Sequence, residues 1–178
     1  PTHWLCWNPP EYDGRGWGSG RRKSSHGESK RLFVDLVQSG RQTAAFVDSR
    51  QTAERYATER ADALRERGKG DLAVAAYQAA LTDERRESIE AGLHDGSVRG
   101  VWTTSALELG VDVGGLDAVL LDGYPGTRMQ TFQRAGRAGR GADPSLVALV
   151  AGEDQLDQFV VRNPDRLFDD EPEQAVTN

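Results

Sequence analysis

The sequence predicts an α/β fold, a parallel sheet flanked by helices. Three observations predict it. Short apolar runs alternate with helical segments along the chain. The runs are apolar at consecutive positions, as in residues 43–47 (TAAFV) and 146–151 (LVALVA), which suits strands covered on both faces. Polar clusters recur just after such runs, where ligands gather in open parallel sheets: 48–50, 103–105, 123–128 and 137–140.

The elements follow in order. Residues 3–10 (HWLCWNPP) begin as a short apolar strand, stopped by Pro9-Pro10. Residues 11–29 are rich in Gly, Ser and charge and show no periodicity, which predicts a flexible loop or linker. Trp17 and the cluster Arg21, Arg22 and Lys23 sit inside it. Basic residues near an aromatic can touch nucleic acid, although a solvated loop is the commoner use of such a run. Leu32, Phe33, Leu36 and Val37 have helical spacing within 28–40, with Gly40 as a stop. Strand 43–47 precedes a long helix over 51–67, closed by Gly68. A second short strand spans 72–77. Thr82 caps the next helix as a simple cap, since no Glu follows three residues on. That helix ends near His94-Asp95-Gly96. Strands are predicted over 98–103, 116–121 and 146–151, with helices over 127–137 and 153–161 after the last two.

The chain has 178 residues, enough for one domain with a substantial core. Its organisation is read as a strand and loop over 1–30, the main domain over 31–167 and an acidic tail over 168–178 that leads into a further domain. The net charge of −6 argues against a generally basic nucleic-acid coat. The negative excess is concentrated in residues 152–178, with eight acidic residues against two arginines, so a local basic groove remains compatible with the total. Cys6 is the single cysteine, which excludes an internal disulfide and suits a reducing cytoplasm. No apolar run approaches membrane-spanning length. His3, His26 and His94 have no partner at metal-ligand spacing, and no metal site is expected.

The densest motif is residues 133–140, QRAGRAGR. Arg134, Arg137 and Arg140 are three residues apart, which on one helical turn projects them to the same side. Gly136 and Gly139 between them would let another surface approach closely. Guanidinium groups deliver fixed charge to phosphate through a planar fork. Upstream, residues 99–122 (RGVWTTSALELGVDVGGLDAVLLD) read as strand, polar turn, short helix, glycine bend and strand. A hydroxyl and free N–H groups at a helix start make a phosphate site, and Thr104 or Ser105 can equally serve as an N-cap.

These two blocks resemble motifs V and VI of superfamily 2 helicases. The chain is similar to their second RecA-like domain, and in detail resembles the bacterial DNA-repair helicases of the mitomycin repair factor A group, relatives of RecQ-type enzymes. The resemblance covers about residues 32–167. It implies the motor half of an ATP-dependent DNA helicase. Arg137 and Arg140 would contact the ATP γ-phosphate across a cleft, with Arg140 as the arginine finger and Gln133 facing the same phosphates or the attacking water. Gly110 and Asp112 would approach the nucleotide, Asp112 at the ribose. Thr104, Ser49 and Arg50 would hold the nucleic-acid backbone, and Arg85 and Arg86 lie in a stretch resembling motif IVa. The turn at Gln78-Ala79-Ala80 departs from the small, glycine-containing turn of those helicases. No GxxxxGK[ST] loop occurs in the sequence. ATP and Mg²⁺ would therefore be held mainly by a first RecA-like domain, which with single-stranded or forked DNA completes the implied partners. An RNA helicase motor and a non-hydrolysing scaffold are the alternatives.

Overall fold

The computed structural model describes residues 1–11, 22–66, 68, 73–108, 113–139 and 143–169. Six strands form one all-parallel sheet: β1 (Thr2–Trp7), β2 (Thr43–Phe46), β3 (Ala73–Tyr77), β4 (Val98–Thr103), β5 (Ala118–Asp122) and β6 (Ser145–Val150). The spatial order is β1-β6-β5-β2-β4-β3. Phe46 at the end of β2 lies level with Thr103 on one neighbour and Leu121 on the other, so three carboxyl ends fall in one row.

The N-terminal strand belongs to this sheet. β1 pairs with β6 from Thr2↔Ser145 to Trp7↔Val150 and forms one edge. The other edge is β3. The central β5 is buried at every position, as its continuous apolar run requires.

Alternation along the strands divides the core in two. Ala45, Val47, Trp102, Leu120 and Ala148 face α1 (Ser25–Gln38) and α2 (Arg50–Glu66), meeting Phe33, Val34, Val37, Tyr56 and Leu64. Phe46, Val101, Val119, Leu121, Val147 and Leu149 face the other way. There they meet α3 (Asp83–Asp95), α4 (Arg128–Ala135) and α5 (Gln155–Arg162), through Ile89, Leu93, Ala135 and Val160.

Local signals act as expected at several ends. The Thr82 hydroxyl accepts from the Arg85 N–H, and Gly96 at φ 81° closes α3. Several elements differ from the periodicity. α1 starts at Ser25, inside the stretch expected to be a loop, because the contacts of Ser29 and His26 lie across the sheet rather than along the sequence. The acidic stretch after residue 163 begins with a further helix, α6 (Asp165–Asp169). The helix expected after Thr104 is a single 3-10 turn, Ser105–Leu107. Residues 12–21 and 170–178, including Trp17 and Arg21, lie outside the described part. At the base of the 12–21 stretch, Glu11 bridges antiparallel to Arg22, and Arg22 donates to the Pro9 carbonyl.

Candidate functional site

The row of carboxyl ends carries the first group of predicted residues. Asp48, Ser49 and Arg50 follow β2 and are all exposed. The Ser49 hydroxyl accepts from Thr52 N–H at 3.1 Å and donates to the Thr52 hydroxyl at 2.8 Å, so it organises the start of α2. Thr104 follows β4, two strands from β5. Its backbone is extended and its side chain makes no capping hydrogen bond, which removes the simple capping role. Arg86 is a support rather than a solvated charge: it donates to the carbonyls of Ala79 and Leu81 and holds the turn after β3.

The arginine motif behaves differently from its expected geometry. α4 ends at Ala135, so Arg134 and Arg137 do not share a helical face. The chain then turns back to the amino end of β5: Leu116 N–H donates to the Arg137 carbonyl and Gly139 N–H to the Leu116 carbonyl, flanking an Ala138–Leu116 bridge. Gly139 sits at φ 117°, a backbone region that strongly favours glycine, so it serves this return. Arg137 therefore does not join the row of carboxyl ends, as the residue pattern had suggested.

Glu108 sorts the two arginines. Arg134 is buried, and its Nε donates to the Glu108 carboxylate at 2.7 Å, with both side chains 9% exposed. Its guanidinium also lies over the Phe46 ring at 5.3 Å. Arg137 is half-buried and donates through one terminal nitrogen to the Glu108 carbonyl at 2.6 Å. Arg134 has its charge answered by a carboxylate. The Glu108 carbonyl orients one edge of the Arg137 fork. Glu108 lies four residues beyond Thr104, so one loop carries both the nucleic-acid candidate and the anchor of the arginine motif. Glu108 was not singled out from the sequence, although an acid inside an apolar segment (ALELG) is a signal for a buried partner. Gln133 is half-buried on α4. Gly110, Asp112 and Arg140 lie outside the described residues.

A second overlooked pair stands at the carboxyl end of β5. His26 Nδ1 is 2.6 Å from Asp122 Oδ2, and the buried Ser29 hydroxyl donates to Asp122 Oδ1 at 3.0 Å. Asp122 is an acid closing an apolar strand, and only the fold brings it to the first turn of α1. Next to it, Asp157 accepts from the Tyr124 and Gly152 N–H groups and ties the ends of β5 and β6 together. Burial pushes the Asp157 carboxyl above its usual range, against the lowering effect of these two donors.

Residues 28–142, which include the arginine motif and the Glu108 loop, match the helicase conserved C-terminal domain. The chain belongs to this helicase family. The yprA product of Bacillus subtilis, named an uncharacterised ATP-dependent helicase, is 34% identical over 99% of this chain. The ATP-dependent helicase HRQ1 of Saccharomyces cerevisiae is 34% identical over 94% of it. Among solved structures, the DUF1998 helicase MrfA bound to DNA and AMPPNP superposes over 98% of the chain with a TM-score of 0.88 at 33% identity. The chain spans 23% of the Bacillus relative, 15% of HRQ1 and 24% of MrfA. The helicase C-terminal domain is a parallel sheet flanked by helices, the RecA-like architecture described above. Among the described residues, no helix is long and apolar enough to cross a membrane.

Proposed function

We propose that this helicase domain is the second motor domain of an ATP-dependent DNA helicase acting in DNA repair in the cytoplasm. ATP would bind between it and a first RecA-like domain, with Mg²⁺ held mainly by that other half. The observation that carries the reading is the Glu108 loop. It begins at Thr104 on the carboxyl edge and ends beside Arg137, so it joins a strand-tracking contact to a phosphate-facing charge. The residues fit a nucleotide triphosphate at the Arg137 end. A guanidinium is a planar fork of donors, the geometry that phosphate oxygens match, and the Glu108 carbonyl helps to position it.

The chemistry that bound ATP supplies is transfer of its γ-phosphoryl group to water. Arg137 would neutralise charge that builds on the equatorial oxygens when the cleft closes, with Arg140 of the same motif as the finger. Gln133 faces the same phosphates or the attacking water. Gly110 and Asp112 approach the nucleotide, Asp112 at the ribose. Thr104, Ser49 and Arg50 hold single-stranded or forked DNA by its backbone, contacts that carry no base information. The DNA-bound MrfA structure supports DNA over RNA as the strand.

The test is Arg137→Ala and Arg137→Lys in the complete helicase. ATP turnover stimulated by single-stranded DNA is expected to fall by about 10³-fold or more in both, since lysine keeps the charge but loses the fork. Folding and DNA binding should persist. Turnover preserved in both variants would reduce Arg137 to a loop anchor. A 2′-OH preference in competition between DNA and RNA strands would favour the RNA motor instead.

A further inference from the structure

We infer that His26 is an additional backbone contact for the bound strand, one that engages a phosphate only as the imidazolium. This rests on the proposed nucleic-acid edge and extends it to the carboxyl end of β5.

The geometry supplies the argument. β5, β2 and β4 are consecutive in the sheet, so His26, Ser49 and Thr104 stand above three adjacent carboxyl ends. The imidazole is 57% exposed, while the carboxylate that grips it is fully buried. The buried partner therefore fixes one ring nitrogen, and the ring reaches out to solvent. Asp122 is held in turn by Ser29, so the carboxylate is committed on both oxygens. With Nδ1–H donated to Asp122, the neutral ring carries a lone pair on Nε2, which repels a phosphate oxygen. Protonation at Nε2 converts that position into a charged donor. A phosphate contact and a proton thus bind together.

The surroundings favour that proton. Asp122 on β5 carries the same sign as a phosphate, and the imidazolium above it compensates that charge. Asp48, after β2, also stabilises the imidazolium, whereas Lys30 on α1 opposes it. Tyr56 of α2 packs against the ring at 6.1 Å between centroids. The hydrogen bond to Asp122 is the leading cause that holds the His26 pKa above its ordinary value, and burial works against it. Lys30 is itself engaged with Glu59 at 3.1 Å and lies over the Tyr56 ring, so it is held to α2.

The test measures anisotropy of a fluorescein-labelled oligo-dT strand with the complete helicase, from about pH 6 to about pH 8.5. Wild-type affinity should fall as pH rises. His26→Gln should bind about tenfold more weakly at the acid end and lose most of the pH dependence. His26→Lys should bind tightly and nearly independently of pH. At the acid end, His26→Gln should lower the salt slope by about 0.7, the value for one phosphate contact on a single strand. NMR titration of the His26 ring should show its pKa rising when the strand is added. Thr104→Ala separates the two layers of argument. If it weakens binding while His26→Gln binds like wild type across the range, His26 is only a latch for α1 and the inference fails. If both bind like wild type, the nucleic-acid edge itself is wrong.

Discussion

Arg134 and Arg137 are three residues apart and meet Glu108 through different groups. Its carboxylate neutralises one and its carbonyl aims the other. The sequence supplied the identity of the arginines and the chemistry of their fork. It singled out Arg137 and Arg140 and assigned no role to Arg134, whose carboxylate partner comes from a distant loop. Glu108→Ala should destabilise the domain by about 3–5 kcal/mol, since it leaves Arg134 buried and unpaired. Glu108→Leu with Arg134→Met should recover much of that stability, as buried ion pairs are often replaceable by apolar groups of similar volume. Denaturant melts of the two variants measure this. Equal stability of Glu108→Ala and wild type would show the pair to be energetically idle.

Helix α1 shows how an element can be placed by a residue it lacks. Gly100 on β4 faces Phe33, and a Cβ there would sit 2.4 Å from the Phe33 ring and 3.1 Å from Val37. The ring cannot swing away easily, because it packs against Trp102 at 4.7 Å. Gly100→Ala should therefore cost about 1–3 kcal/mol through overpacking. Phe33→Leu in the same chain should relieve part of it, a non-additive pair readable by a double-mutant cycle in thermal melts. Additive losses would mean that α1 shifts instead of clashing. The helical spacing of Leu32, Phe33, Leu36 and Val37 was enough to predict α1. Its earlier start at Ser25 was not legible, because the contacts that support that turn come from β5.

Across the whole molecule, the candidate residues fall at two ends of the sheet. Ser49, Thr104 and His26 stand at the carboxyl ends of β2, β4 and β5, whereas Arg137 returns to the amino end of β5. The chain from Thr104 to Glu108 leaves the carboxyl end of β4, and the Glu108 carbonyl accepts from Arg137. The His26–Asp122 pair also makes stability depend on pH. A histidine whose folded pKa is raised above the ordinary 6.5 contributes fully below that value, and the contribution is lost as pH rises through the folded pKa. The melting temperature of wild type should therefore fall more steeply than that of His26→Gln as pH rises from about 6.5. Parallel melting curves would show that the pair holds no differential proton in the folded state.

The residue order alone carried the α/β class, the six strands and the helicase resemblance. The class and the strands rest on local periodicity and on cap and turn residues, which act over a few positions, and the resemblance rests on two short motif blocks. It could not rank the strands as β1-β6-β5-β2-β4-β3, remove Arg137 from the carboxyl edge, or find Glu108 and the His26–Asp122 pair. Each of those depends on pairing across many residues: Arg134 meets Glu108 from 26 positions away and His26 meets Asp122 from 96. Buried charge is costly unless it is partnered, and the partner is chosen by the packed fold, not by the neighbouring sequence.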